Sequence, residues 1–234
     1  MEERIMSDFP VDDLSVWETN AAFWDACMGD DSNSFHREVV RPGVTELLSP
    51  QAGDVILDIA CGNGNYSAFM ARRGAKVLAF DQSPAMIALA RKRQRPFQER
   101  IEFCVADAAK LESLLPLRRT PPFSKAVSCM AIMDISDVRP LFEALQTLLA
   151  DKGIFVFATQ HPCFVTLTKQ YRTEHAYLGE AIAGQPCKQR YYHRSMQEIF
   201  RCCFDAGFVI DGFLEAYYRN PEIPEVIIVR ARKN

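Results

Sequence analysis

The sequence lacks the features that would identify several whole classes of protein. No apolar run approaches the roughly 20 residues of a membrane span. The N-terminus is acidic and polar, without the basic and apolar segments of a secretory signal. The eight cysteines form no C-x-x-C pair, and a net charge of −3 leaves no positive excess for nucleic acid or anionic membranes. We therefore expect a cytoplasmic protein with reduced cysteines, no membrane partner and no nucleic-acid partner.

Metal ligands and domain boundaries are equally scarce. His161-x-Cys163 supplies only two of the three or four protein ligands that a zinc site needs, so we expect no metal centre. The chain contains no internal repeat and no linker that would mark a second domain. Its 234 residues, 48% of them hydrophobic, suit one large globular domain, either a monomer or a homodimer.

Strands and helices alternate along the middle of the chain. Residues 55–59 are apolar on both faces apart from one acid, which is typical of a central parallel strand. Further strands are predicted at 76–80, 101–105, 125–130 and 154–159, with helical spacing between them, and a final hairpin at 208–216 and 225–232. This alternation predicts an α/β fold with a doubly wound, mostly parallel sheet.

The order of these segments suggests a division of the single domain, 1–234. We predict an N-terminal helical cap (1–50), a cofactor-binding half (51–160), a substrate-side insertion (161–194), and a closing helix with a hairpin (195–234). The cap concentrates aromatic residues and cannot build a core alone, so we expect it to lie over the ligand edge of the sheet. The insertion leaves the carboxyl end of the fifth strand and should overhang the same edge.

A glycine-rich turn follows the first strand. Gly62 and Gly64 allow a sharp bend and a close approach of ligand to backbone. Asp81, at the end of the second strand, suits the two hydroxyls of a ribose. A dinucleotide normally requires a third glycine, where this chain has Ser67, and Asp58 would repel its pyrophosphate. A positively charged sulfonium cofactor fits these residues better.

The same residues resemble the signature of class I S-adenosylmethionine-dependent methyltransferases. Three motifs match in register: residues 55–64 (VILDIACGNG), Asp81-x-Ser83-Pro84-x-Met86, and Ala106-Asp107-Ala108. The resemblance implies a Rossmann-like seven-stranded sheet with an antiparallel last strand, S-adenosyl-L-methionine as cofactor and S-adenosyl-L-homocysteine as product. It assigns to the cofactor site Asp58, Ala60, Gly62, Gly64, Asn65, Asp81, Gln82, Met86, Asp107, Ala108 and Met130. Structural interpretations stay open for three of them: Asp107 as a helix cap, and Met86 and Met130 as core residues.

The acceptor is less clearly indicated. Residues 131–134 (AIMD) replace the Asn/Asp-Pro-Pro-aromatic motif of enzymes that methylate exocyclic or amide nitrogens, which argues against those substrates. Cys163 only superficially resembles the nucleophile of pyrimidine-carbon methylation. As a candidate base we predict His161, because imidazole titrates near neutrality; a structural role is the alternative. His193 is the second candidate catalytic residue. His193-Arg194-Ser195 stands just before a predicted helix, where it could bind an anionic substrate group or form a packing corner. The predicted substrate-binding residues are Trp24, Tyr171, Tyr192 and Arg194.

The leading prediction is an enzyme that methylates an oxygen or nitrogen of a small molecule. A methyltransferase acting on RNA or protein, and a non-catalytic protein that binds S-adenosylmethionine, are the alternatives. The acceptor should lie between the aromatic cap and the insertion, where both exclude water.

Overall fold

The computed structural model describes residues 12–234. Its α-helices are α1 (Asp13–Met28), α2 (Arg41–Leu48), α3 (Asn65–Arg72), α4 (Pro84–Arg93), α5 (Leu111–Leu114), α6 (Arg139–Leu148) and α7 (Met196–Asp205). Its strands are β1 (Val55–Ile59), β2 (Lys76–Asp81), β3 (Ile101–Val105), β4 (Phe123–Cys129), β5 (Leu149–Gln160), β6 (His175–Gly179), β7 (Gln189–His193), β8 (Phe208–Ala216) and β9 (Val226–Lys233).

Seven of these strands form one twisted sheet in the order β3-β2-β1-β4-β5-β9-β8. The strands β1 to β5 are parallel, whereas β9 runs antiparallel to both of its neighbours, β5 and β8. The chain order reverses at β1, where the connection changes from one side of the sheet to the other. This arrangement confirms the predicted doubly wound α/β fold with an antiparallel last strand.

Successive side chains of a strand point to opposite faces of the sheet, and each face is covered by an apolar cluster. On one face, Ile56 lies in a buried cluster with Val44 of α2 and Met70 of α3. On the other, Leu57 lies in a cluster with Leu145 of α6. Helices therefore cover both faces, and the carboxyl edge of the parallel strands is left for the site.

The N-terminal helical segment begins at a capped residue. The Asp12 side chain accepts a hydrogen bond from the Ser15 N–H at 2.8 Å and starts α1. Within the predicted cap, a second helical segment begins at Phe35; its first part, Phe35–Val40, is π-helical and continues directly into α2. Pro42 lies in the first turn of α2, where its missing N–H is tolerated. The first eleven residues of the predicted cap lie outside the described residues.

The insertion contains a two-stranded hairpin that the sequence analysis did not predict. Strands β6 and β7 pair antiparallel, with His175 opposite His193 and Tyr177 opposite Tyr191. Polar aromatic residues fill the positions where an apolar alternation would have indicated strands. The assignment of this segment to the substrate side stays a prediction. Among residues 12–234, no helix is both long and apolar enough to cross a lipid bilayer.

Candidate active site

The backbone is strained where two central strands end. Ala60 after β1 and Met130 after β4 both have left-handed φ angles, +53° and +56°. Non-glycine residues hold this conformation only where their surroundings impose it, and such strain concentrates at functional sites. Gly62 and Gly64 adopt the same region at +55° and +76°, as their place in the turn requires. The strained residues Ala60 and Met130 both line a cavity at this edge of the sheet.

Asp81 ties the glycine turn to the start of α4. Its Oδ2 accepts a hydrogen bond from the Gly62 N–H at 2.9 Å, and its Oδ1 accepts from the Ser83 N–H at 3.0 Å. Ser83 in turn caps α4 through the Met86 N–H. Burial raises the pKa of Asp81, and the backbone N–H groups oppose that rise. Each carboxylate oxygen keeps further lone pairs, so Asp81 can also accept hydrogen bonds from a ligand.

The cavity has a volume of about 1090 Å³. Its wall brings together most of the predicted cofactor residues. The ones that line it are Ala60, Gly62, Asp81, Gln82, Met86, Asp107, Ala108 and Met130. Trp24, predicted to contact substrate, lines the same cavity. The structure thus gathers residues from the ends of β1, β2, β3 and β4 around one space.

Three predicted cofactor residues lie behind the turn instead of on the cavity wall. Asp58 is buried within β1 and accepts a hydrogen bond from the Ser67 hydroxyl at 2.5 Å. Burial, reinforced by the charge of Asp81, raises the pKa of Asp58 to about 7. The Asn65 amide donates to the Gly29 carbonyl, and a Cβ on Gly64 would lie 2.8 Å from the Phe103 ring. Direct contact with a ligand in the cavity is therefore not indicated for these residues.

Helix α1 is bound to both ends of α4. At the C-terminal end, Arg93 of α4 makes a two-pronged ion pair with the Asp25 carboxylate, with both nitrogen–oxygen distances 2.7 Å. At the N-terminal end, Glu18 of α1 accepts hydrogen bonds from the Ser83 hydroxyl and the Ala85 N–H. These contacts hold α1 along the length of α4.

Aromatic side chains form one part of the cavity wall. The Trp17 and Trp24 rings meet edge-on with centroids 5.5 Å apart, and Trp24 meets His36 in the same way at 5.9 Å. Burial lowers the pKa of His36 to about 4, so its imidazole is neutral at neutral pH. This part of the wall is uncharged and suits an apolar or aromatic ligand surface.

The two histidines predicted as catalytic residues lie away from the cavity wall. His161 is buried; its Nδ1 accepts from the Cys163 N–H and its Nε2 faces Glu215 Oε1 at 3.1 Å. His193 donates from Nε2 to the Tyr171 carbonyl at 3.0 Å. The ring nitrogens of His161 are engaged by the insertion and by β8, and Nε2 of His193 is engaged within the insertion. These contacts fit the structural alternative, and a catalytic role for either residue stays a prediction.

The other predicted substrate residues are also engaged elsewhere. The Arg194 guanidinium donates to three backbone carbonyls, those of Ile132, Ile135 and Ser136, and its contact with substrate stays a prediction. The Tyr171 hydroxyl accepts from the Met196 N–H at the start of α7. The Tyr192 hydroxyl donates to the Asp13 carboxylate at 2.6 Å and joins β7 to α1. These side chains position the loop after β4 and the hairpin.

A polar cluster on the cavity wall escaped the prediction of site residues. Asp134 follows β4, and Gln189 and Tyr191 lie on β7. The Gln189 amide donates to Asp134 Oδ1 at 3.2 Å and to the Tyr191 hydroxyl at 3.1 Å. The segment 131–134 was noted only for the motif it lacks, and the hairpin that brings β7 to it was not predicted.

The side chains that could bind metal lie apart from one another. Within residues 12–234, no group of three or more His, Cys, Asp or Glu side chains is placed to hold a metal ion. The described cysteines are all free thiols.

Comparison with known proteins identifies the type of domain. Residues 56–153 match the family described as "Methyltransferase domain". A curated relative, the ubiquinone biosynthesis O-methyltransferase of Acinetobacter baumannii (strain ACICU), is 32% identical over 117 residues, which cover 50% of this chain and 48% of that protein. This chain spans about half the length, or less, of the first curated relatives it matches.

Two solved structures share the fold. An S-adenosylmethionine dependent methyltransferase from Mesorhizobium loti is 22% identical with a TM-score of 0.65, over 88% of this chain and 100% of that one. Magnesium protoporphyrin IX methyltransferase from Synechocystis PCC 6803, with bound SAH, is 18% identical with a TM-score of 0.64, over 95% and 100%. These likenesses agree with the strand order described above, and the resemblance predicted from the sequence is confirmed.

Proposed function

We propose that this chain, which carries a class I S-adenosylmethionine-dependent methyltransferase domain, transfers a methyl group to an oxygen or nitrogen of a small molecule. The cavity of about 1090 Å³ carries this proposal. It lies at the upper end of the range for small-molecule pockets, so a cofactor and a small acceptor can occupy it together. The name of the curated relative, an O-methyltransferase of ubiquinone biosynthesis, supports a small acceptor.

The residues on the cavity floor fit S-adenosylmethionine. Asp81 would accept hydrogen bonds from the ribose hydroxyls, since its carboxylate faces the cavity with lone pairs to spare. Met86 would pack on the adenosine, and Asp107 with the Ala108 amide would recognise the adenine edge. Met130 would line the methionine side. When bound, the cofactor supplies an electrophilic methyl group on a positively charged sulfur.

Asp58 would act on that positive charge from a distance. Its carboxyl lies beneath the turn and not on the wall, so it cannot be assigned a hydrogen bond to the cofactor. A buried charge is weakly screened, however, and an ionised Asp58 would stabilise a cation above the turn. Asp58 would therefore set the electrostatic potential of the floor as well as hold Ser67 in place.

The chain's contribution to the transfer would consist mainly of positioning and exclusion of water. Trp17, Trp24 and Phe35 line the cavity with aromatic surface, and an ion pair between Asp25 and Arg93 holds α1 against α4. A closed site holds the nucleophile in line with the methyl group and removes competing water, and orientation of this kind supplies much of the acceleration of a two-substrate reaction.

A turnover assay tests the proposal. The protein is incubated with S-adenosylmethionine and a panel of small phenols, amines and carboxylates, and S-adenosylhomocysteine is measured by mass spectrometry. We expect product with at least one acceptor, and a slower reaction with the Asp81→Asn variant when S-adenosylmethionine is below saturation. Methylation of added RNA or protein but of no small molecule would favour the first alternative function. Tight cofactor binding with no product from any acceptor would favour the non-catalytic one.

A further inference from the structure

Asp134, Gln189 and Tyr191 form a hydrogen-bonded polar cluster on the cavity wall. Gln189 uses its amide hydrogens on Asp134 and on the Tyr191 hydroxyl, so one side chain holds the other two in fixed orientation. Gln185 secures Gln189 in turn, donating to its Oε1 at 2.8 Å. The Tyr191 side chain is only 4% exposed, whereas Asp134 is partly open to the cavity. The cluster is held rigidly before any ligand arrives.

The electrostatic surroundings of Asp134 are unfavourable to an isolated carboxylate. The side chain that donates to it is the neutral Gln189 amide, and the charged groups acting on it most are Asp13 of α1 and Asp81 of β2. Tyr177 and Tyr191, from the hairpin, face it as neutral phenols. Burial and these two carboxylates raise the pKa of Asp134 well above its ordinary value. A positive charge placed in the cavity would relieve this cost.

We propose that the acceptor is an amine that enters as its ammonium form, which Asp134 binds as a carboxylate and then deprotonates. The inference rests on the proposed function, since it names the acceptor of that same site. One ammonium N–H proton passes to Asp134. The freed nitrogen lone pair forms the new bond to the methyl carbon while the carbon–sulfur bond breaks, and its electron pair remains on sulfur. Asp134 returns the proton to water as the products leave.

The rest of the wall limits the body of this amine. Trp17, Trp24 and Phe35 offer apolar and aromatic surface across the cavity, so an amine on an aromatic or aliphatic skeleton fits. Acidic side chains outnumber basic ones along the wall, and this charge disfavours carboxylate or phosphate groups on the acceptor. An acceptor that carries only a phenol or carboxyl nucleophile is not what this wall selects.

Binding of three matched probes tests the proposal while the natural acceptor is still unidentified. With the protein saturated by S-adenosylhomocysteine, dissociation constants of 2-phenylethylamine, 2-phenylethanol and phenylacetate are measured by ligand-observed NMR. A hydrogen bond from an ammonium to a carboxylate is stronger than one from a neutral hydroxyl, so the amine should bind at least about tenfold more tightly than the alcohol. Phenylacetate should bind most weakly.

Two variants separate Asp134 from the general charge of the cavity. Asp134→Asn keeps an acceptor for Gln189 and should bring the amine-to-alcohol ratio to within about twofold of one. Asp137→Asn removes an acid from the same wall, but one already paired with Arg139 at 2.7 Å, and should leave the ratio unchanged. A wild-type ratio near one, or an equal loss in both variants, would overturn the proposal.

The affinity for S-adenosylhomocysteine separates this inference from the proposed function. Asp134→Asn should bind it within about twofold of wild type; a large loss would assign Asp134 to the cofactor's amino group and refute the inference. Wild-type protein that does not bind S-adenosylhomocysteine at all would instead refute the proposed function.

Discussion

Replacing Asp58 by asparagine should remove a pH-dependent destabilisation of the ligand-free protein. The Asp58 carboxyl is 2% exposed and lies between β2 and β4 with the Ser67 hydroxyl as its hydrogen-bond donor. Burial and the charge of Asp81 raise its pKa from 3.8 to about 7, against the effect of Ser67. The folded protein therefore keeps this proton over a pH range in which the unfolded chain has lost it.

The sign and size of the effect follow from linkage. Because the native state binds the proton more tightly, the free energy of unfolding falls as pH rises from about 4 to about 7, and stays lower above that. A shift of about 3 pKa units corresponds to about 4 kcal/mol at pH 8 and about 1.5 kcal/mol at pH 5. The asparagine of the Asp58→Asn variant cannot ionise, so the variant lacks this decline, while Asp81 and Asp134 keep their own contributions in both proteins.

Urea unfolding at pH 5 and pH 8 measures the difference. The unfolding free energy of Asp58→Asn minus that of wild type should be larger at pH 8 than at pH 5, by about 2–3 kcal/mol. Ser67→Ala, which removes the bond favouring the charged form, should steepen the wild-type dependence. Parallel pH dependences for wild type and Asp58→Asn would refute the reasoning that this carboxyl is a buried acid.

Three further substitutions test contacts around the site. Arg93→Met removes the two-pronged pair with Asp25, so hydrogen exchange should speed up in α1 and unfolding should become easier by about 1–2 kcal/mol; unchanged α1 exchange would contradict this. Gly64→Ala combines a φ of +76° with a Cβ 2.8 Å from Phe103 and should lower the unfolding free energy by more than about 1 kcal/mol, measured by urea titration; wild-type stability would contradict the packing described. Arg194→Met leaves backbone carbonyls of the loop after β4 unpaired and should cost about 2–4 kcal/mol in a thermal or urea melt, whereas a change under about 0.5 kcal/mol would count against an anchoring role.

The sheet could be predicted from the sequence because its signals are local. The apolar runs of the central strands β1, β2 and β4 are largely buried, and Ser83 caps α4 just before Pro84, which stands in its first turn. The position of Asp81 on the cavity wall could likewise be predicted, because the residue ends strand β2 at the carboxyl edge of the sheet, where ligands bind.

The acceptor side could not be predicted because it depends on contacts between distant segments. Arg194 looked like an anion site beside a helix start, yet its guanidinium turns to carbonyls about 60 residues earlier in the chain. Asp134 gained its place on the wall only through Gln189 on β7, in a hairpin whose tyrosines and histidines do not follow an apolar alternation. Asp58 was assigned to the cofactor site by resemblance, yet its side chain lies behind the cavity floor, where it accepts from the Ser67 hydroxyl.

Calorimetric titration with S-adenosylhomocysteine tests the central claim most directly, that this cavity floor holds the adenosyl cofactor through Asp81. The account predicts one molecule bound per wild-type chain, and a loss of at least about tenfold in affinity for Asp81→Asn, equivalent to about 1.4 kcal/mol, in protein whose thermal unfolding shows that it is folded. Absence of binding to the wild-type chain, or equal affinity in the folded variant, would contradict it.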